Sequence, residues 1–157
     1  MNTINNKKCA AAYEAAEVIA NLTDGEVCTI KITGEMNEEI MLSIRDVLNQ
    51  NDAMIDLDLS EITGLKEIKD NFFVLCENLT SMTLPDSVTS IGESAFSGCS
   101  NLVNVVIPDS VEKIYKNAFL DCKKLASVEI PALVKVIGKS AFCGCSSLTS
   151  VEIPTSV

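Results

Sequence analysis

The chain has 157 residues, 47% of them apolar but only 4% aromatic, which fits one ordinary domain whose core is built in layers from branched aliphatics. Its formal charge of −10, with no Lys/Arg cluster, argues against nucleic acid and against an acidic membrane surface. The absence of histidine removes the usual general base, and with it Ser-His-Asp and Cys-His nucleophiles, while no apolar run is long enough to span a bilayer.

At the start, "MNTINNKKCAAAYEAAEVIA" places Tyr13, Glu14 and Glu17 where a signal peptide needs an unbroken apolar core. The chain as written is therefore expected in the cytosol, with the cell surface as the alternative if its native start lies further upstream. "CAAAYEAAEVIANL" (9–22) reads as an alanine-rich helix, and "EVCTIKIT" (26–33) reads as a strand with Ile30 and Ile32 turned inward. A second helix, about Asn37 to Gln50, carries Ile40, Met41, Ile44, Val47 and Leu48 on one stripe. Glu38 and Glu39 lie near its positive dipole end. Residues 1–53 are read as an α/β N-terminal cap over the first apolar layer of the remaining chain.

From about residue 54 the chain repeats itself with a period of 23. Leu79, Leu102, Leu125 and Leu148 share one phase; Met82, Val105, Val128 and Val151 a second; Leu84, Ile107, Ile130 and Ile153 a third. Each copy continues with Pro85, Pro108, Pro131 or Pro154. Then come Val88, Val111 and Val134; Ile91, Ile114 and Ile137; Ala95-Phe96, Ala118-Phe119 and Ala141-Phe142; and Cys99, Cys122 and Cys145. A degenerate copy precedes these, with Leu57, Leu59, Leu65, Ile68, Phe73, Cys76 and Asn78 in the same roles and about two extra residues near Glu61-Ile62. Residues 54–157 thus hold one degenerate copy, three full copies and one truncated copy.

Within a copy, L-x-x-V-x-I alternates as a short strand with one buried face, and the proline after it ends the ladder. The segment A-F-x-x-C-x-x-L is spaced like one or two helical turns that bury Ala, Phe and Cys. Each copy then forms one coil of a right-handed α/β solenoid, with strands side by side in a parallel sheet and Phe96, Phe119 and Phe142 in a column on the opposite wall. "LTSVEIPTSV" at the end reads as a further strand, left uncovered in the sequence as it stands.

The remaining chemical candidates are weak. Seven cysteines is an odd count, and four of them sit one per copy, which points to packing in a reducing compartment; parallel Cβ vectors in stacked coils also suit disulfides poorly. Cys143 and Cys145 form C-x-C without a second pair at zinc spacing, so no metal site is assigned. The acidic residues are scattered, and no phosphate-binding glycine motif occurs. Catalytic residues and cofactors are accordingly set at none. Asn21-Leu22-Thr23 and Asn78-Leu79-Thr80 match a glycan acceptor pattern, the second because Asn78 holds the repeat's own Asn/Ser phase.

The unit LxxVxIPxSVxxIGxxAFxxCxx, from Leu79 through Val157, resembles the BspA-type leucine-rich repeat. The resemblance implies a curved leucine-rich-repeat coil that binds proteins, with adhesins among its members, and it implies neither catalysis nor cofactor. Departures are Tyr115 in place of Gly92 and Gly138, and Ala132-Leu133 in place of Asp-Ser or Thr-Ser.

Taking the sheet as the concave wall, the outward positions are Thr29, Lys31, Asp56, Asp58, Ser81, Thr83, Asn104, Val106, Ser127, Glu129, Ser150 and Glu152. This polar, mildly acidic strip suits a protein or peptide partner of basic character, without nucleic acid and without membrane insertion. Homo-oligomer formation through the Val151–Val157 end is the structural alternative, since an open strand edge templates pairing.

Overall fold

The computed structural model describes residues 6–11, 14–22 and 27–157. Among the described residues eleven elements succeed one another: β1 (Asn6–Ala11), α1 (Ala15–Ala20), β2 (Val27–Glu35), α2 (Glu38–Gln50), β3 (Met54–Thr63), β4 (Glu67–Ile68), β5 (Leu79–Thr83), β6 (Ser90–Ile91), β7 (Asn104–Val106), β8 (Lys113–Ile114) and β9 (Val136–Ile137). They form two parallel sheets, one of five strands in the order β1-β2-β3-β5-β7 and one of four in the order β4-β6-β8-β9. The main sheet continues without a break from the N-terminal segment into the repeats.

The apolar phases of the repeat point into one core as far as the last copy, where Leu148 and Val151 are half-buried and Ile153, expected inward, is 55% exposed because no further copy covers it among the described residues. Met82, Val105, Leu84, Ile107 and Ile130 are buried, as are Val88, Val111, Val134, Ile91 and Ile114. Leu57, Leu59, Ile68, Phe73 and Cys76 of the degenerate copy join them, while Leu65 is half-buried. The phenylalanines stack as expected, and the column reaches one copy further back than expected. Ring centroids are 5.2 Å apart for Phe73–Phe96, 5.2 Å for Phe96–Phe119 and 5.3 Å for Phe119–Phe142, with interplanar angles of 15°, 1° and 3°. No copy could bury these faces alone, because each ring and each aliphatic layer is covered by the next copy.

The N-terminal segment departs from expectation at its start. Cys9 to Ala11 belong to β1, which pairs in parallel with β2 from Asn6↔Cys28 to Ala11↔Thr33, and the helix begins only at Ala15. Residues 12–13 of the expected helix, and residue 26 of the expected strand, lie outside the described residues. Alanine's helix preference is worth less than a continuous rung of backbone hydrogen bonds beside an already formed strand. β2 itself obeys its alternation, with Ile30 and Ile32 fully buried. Asn37 caps α2 by accepting a hydrogen bond from Ile40 N at 2.9 Å, and Met41, Ile44 and Leu48 are buried beneath the helix.

The A-F-x-x-C segment differs more instructively, since no α-helix forms there. Its short bonds run over three residues, as in Cys99 N to Phe96 O (3.2 Å), and every second amide leaves the copy altogether. Phe73 N donates to Ala95 O (2.7 Å), Phe96 N to Ala118 O (2.8 Å) and Phe119 N to Ala141 O (2.8 Å). Two residues per copy adopt left-handed backbone, one at Asn71, Ser94, Asn117 and Ser140, the other at Leu75, Gly98, Asp121 and Gly144. These turn the chain so that its amides face the neighbouring copy instead of closing a helix. Apolar spacing alone could not separate the two conformations, because a chain of such turns buries the same side chains.

Candidate protein-interaction surface

The outer face of the five-stranded sheet is built by register. Pairing aligns Thr29 with Asp56, Asp56 with Ser81, Ser81 with Asn104, and Asn104 with Ser127 through a single bridge. A second row aligns Lys31, Asp58, Thr83 and Val106. Rungs in such a sheet are about 4.8 Å apart, so each row sets one side chain per strand at nearly constant spacing. Thr29, Lys31, Asp56, Asp58, Ser81 and Thr83 are half-buried, whereas Asn104, Val106, Ser127, Glu129, Ser150 and Glu152 are exposed.

Not all twelve positions fall within the ladder. Glu129 lies beyond any strand but shares a surface depression with Asn104, Val106 and Ser127. Ser150 and Glu152 lie in a segment, 148–157, that forms no strand, contrary to the alternation of its sequence. The physical reason is visible one copy earlier. In the main sheet the copy after β7 keeps only a single bridge, Asn104–Ser127, so the ladder has already run out before it reaches 148–157.

Charges on this face are partly internally engaged. Lys31 Nζ lies 2.7 Å from Glu61 Oε1 and 3.9 Å from Asp58 Oδ2, and Asp58 Oδ1 accepts a hydrogen bond from Ser60 N at 2.9 Å. Asp56 Oδ1 accepts from Thr80 Oγ1 at 2.7 Å. Strand alternation did not single out Thr80 or Glu61. Both arise from register shifts, one between Ile55 and Asp56, the other between Lys31 and Thr33. The first leaves a trace in the sequence, because Ile55 pairs with Leu79 at a separation of 24 whereas Leu57 pairs with Met82 at 25.

The cysteine ladder has a hydrogen-bonding role as well as a packing one. Cys99, Cys122 and Cys145 donate their thiol protons to the carbonyls of Phe73, Phe96 and Phe119 at 3.0, 3.1 and 3.1 Å, each reaching into the preceding copy. Cys76 opens the series by donating to Asn49 Oδ1 at 3.1 Å. Burial pushes the Cys76 thiol up to about 12 against the opposing pull of Arg45, and burial likewise raises Cys99. Cys122 is likewise raised, by the neighbouring Cys145 thiol and by burial. Cys143, the other half of C-x-C, is exposed, and among the described residues no three Cys, Asp or Glu side chains converge as a metal site would require.

Serines form a parallel series. Ser87 donates to Leu65 O, Ser110 to Val88 O and Ser156 to Val134 O, all at 2.6 Å. Leu133 takes that phase in one copy, cannot donate, and is exposed. Asn78, in the glycan-like triplet, is only 8% exposed and spends its amide protons on Leu48 O (2.8 Å) and Asn51 O (3.0 Å), so a sugar there would replace at least one of these donors at a buried position.

Three comparisons bear on this architecture. Over part of its length the chain is similar to a leucine-rich repeat protein of T. pallidum, with 32% identity and a TM-score of 0.53, over 67% of this chain and 61% of that one. It also shares its fold with a leucine-rich cell surface protein of Faecalibacterium prausnitzii, at 22% identity and a TM-score of 0.51, over 92% of this chain and 42% of that one. This chain therefore spans less than two thirds of either solved structure. Comparison with curated proteins gives no match. The model of the BspA-type leucine-rich repeat region matches residues 66–157 in six copies, more than half of the chain. With the 23-residue stacking described above, this places the chain in the BspA-type leucine-rich repeat family.

Proposed function

We propose that the chain is a non-catalytic interaction module that binds a protein or peptide of basic character across the outer face of its five-stranded sheet. The observation that carries this reading is the pair of in-register rows, which offer polar and acidic side chains from successive strands at fixed spacing. The overall charge of −10 favours a basic partner, whose encounter rate falls as salt rises. We propose further that the copies coil as a right-handed solenoid whose concave wall is this face, and that residues 1–53 close its first layer. The burial of Met41, Ile44 and Leu48 under α2, and the continuity of β2 with β3, support that arrangement.

Reversing Asp56, Asp58, Glu129 and Glu152 to lysine tests the reading. Capture of partners from a source lysate should change for the quadruple variant, and also for Glu129→Lys/Glu152→Lys, which leaves the Asp56–Thr80 and Asp58–Ser60 hydrogen bonds in place and should keep the melting temperature within a few degrees of the parent. Unchanged partner recovery and salt dependence would place binding elsewhere.

A second reading concerns location, for which the cell-surface description of the F. prausnitzii structure supplies the motive. Surface display would make the module an adhesin, whereas the buried thiols favour a reducing compartment. Protease treatment of intact source cells separates the two, since only a displayed protein is lost.

A further inference from the structure

At the N-terminal edge of the sheet, the C-terminal end of α2 meets the turns that lead into β5 and β7. They enclose a solvent-open cavity of about 330 Å³, with polar walls from Asp52, Glu77, Asn78 and Asn101 and apolar walls from Met54 and Leu75. Three features give it a sign. The last turn of the 13-residue α2 contains no basic residue to offset the negative end of its dipole. Asp52 and Glu77 make no ion pair among the described residues. Asn78, only 8% exposed, uses its amide group on Leu48 O and Asn51 O, which fixes its orientation and leaves its Oδ1 without a donor among the described residues. Asn101 is oriented the same way, with Nδ2 donating to Glu77 O at 2.7 Å.

The cavity is thus a set of oxygen acceptors lacking a donor, at a negative helix end, beside apolar side chains. It is far larger than a bare metal ion, since one water occupies about 30 Å³ in the liquid. An arginine side chain matches both halves of the lining. Its guanidinium carries five donors for carboxylate and amide oxygens, and its methylene stem lies along apolar surface. We propose that this cavity receives an arginine side chain of a partner peptide, with the guanidinium against Glu77, Asp52 and the Asn78 Oδ1, and the stem against Leu75 and Met54. The site is separate from the two sheet rows, and its test reads it alone.

The experiment is a titration of 15N-labelled protein with N-acetyl-Gly-Arg-Gly-amide, tracking the side-chain amide signals of Asn78 and Asn101. Both should shift and saturate, and the isosteric citrulline peptide should leave them in place. In the Asp52→Asn/Glu77→Gln variant the affinity should fall about tenfold or more, equivalent to losing one charge-assisted contact. Absence of a saturable shift, an equal response to citrulline, or an unchanged affinity in the variant overturns the assignment. So does saturation of the same signals by calcium chloride at lower concentration than the peptide, which would make this a metal site. The citrulline comparison uses the parent protein, so it decides the question even if the variant fails to fold.

Discussion

Phe119→Ala is the sharpest test of how the copies hold one another. Phe119 is fully buried, with its ring 5.2 Å from Phe96 on one side and 5.3 Å from Phe142 on the other. Removing it loses the transfer free energy of the ring and opens a void between two rings fixed by their own backbones, a change that costs roughly 3–5 kcal/mol in cores. A domain of this kind has a total stability of roughly 5–15 kcal/mol, so the variant should lose at least about a fifth of it. Phe142→Ala is the control. That ring is half-buried and stacks on Phe119 from one side, so its loss should cost about half as much. Urea denaturation monitored by far-ultraviolet circular dichroism reads both variants on one scale. Equal losses, or a loss below about 1.5 kcal/mol for Phe119→Ala, would refute the idea that stacking between copies carries the stability.

The turns and the thiol ladder give two further outcomes. Leu75 holds φ +59° where two later copies place Gly98 and Gly144, and it is 65% exposed, so Leu75→Gly should relieve backbone strain and gain about 0.5–1 kcal/mol in thermal or urea unfolding. A loss instead would show that Leu75 packs usefully in the free protein. In native labelling with iodoacetamide at pH 8, Cys143 should react while Cys76, Cys99 and Cys122 do not until denaturant is added. With its thiol near 12, Cys76 is ionised to only about one part in ten thousand at that pH, even before burial blocks access. Mass mapping of alkylated peptides would expose any departure from this order.

Much of the architecture was legible because stacking writes the same demand into every copy. The phases of Met82, Val105, Ile91, Ile114, Phe96 and Phe119 recur because each must meet its counterpart in the next copy, and all are buried. What the sequence concealed is local. The run from Cys9 to Ala11 has helical composition, yet it is drawn into β1 by a neighbouring strand further along the chain. The turns around Phe96 and Phe119 carry the apolar spacing of a helix, and only Asn71, Gly98, Asn117 and Gly144 hinted at left-handed backbone. Of the outward positions, those up to Val106 stand in paired strands, because alternation fixes the face wherever a ladder exists. Ser150 and Glu152 lack that support, since alternation describes a strand but cannot make one without rungs.

Positions that repeat are committed to neighbours: Cys99, Cys122 and Cys145 to carbonyls of the preceding copy, Ser87 and Ser110 likewise, and Glu93–Lys116 and Glu112–Lys135 to each other at 3.1 and 2.9 Å. Changing any of these perturbs stacking before it alters recognition. Under the proposed function, recognition would fall to positions that break the repeat yet remain exposed or half-exposed. On the sheet these are Lys31, Asp56, Asp58 and Val106, no two of which offer the same chemistry along a row. Elsewhere they are Leu75 in place of glycine, Tyr115 in place of glycine and Leu133 in place of serine, all large and all exposed. At the Tyr115 phase glycine is not an accident: a Cβ on Gly138 would run into the Lys116 backbone, so the fold leaves no room for a side chain there. Leu75 overlies the next copy's glycine, since a Cβ on Gly98 would meet its side chain, so part of its bulk serves stacking; Tyr115 and Leu133 are the departures that the proposed binding role would use first.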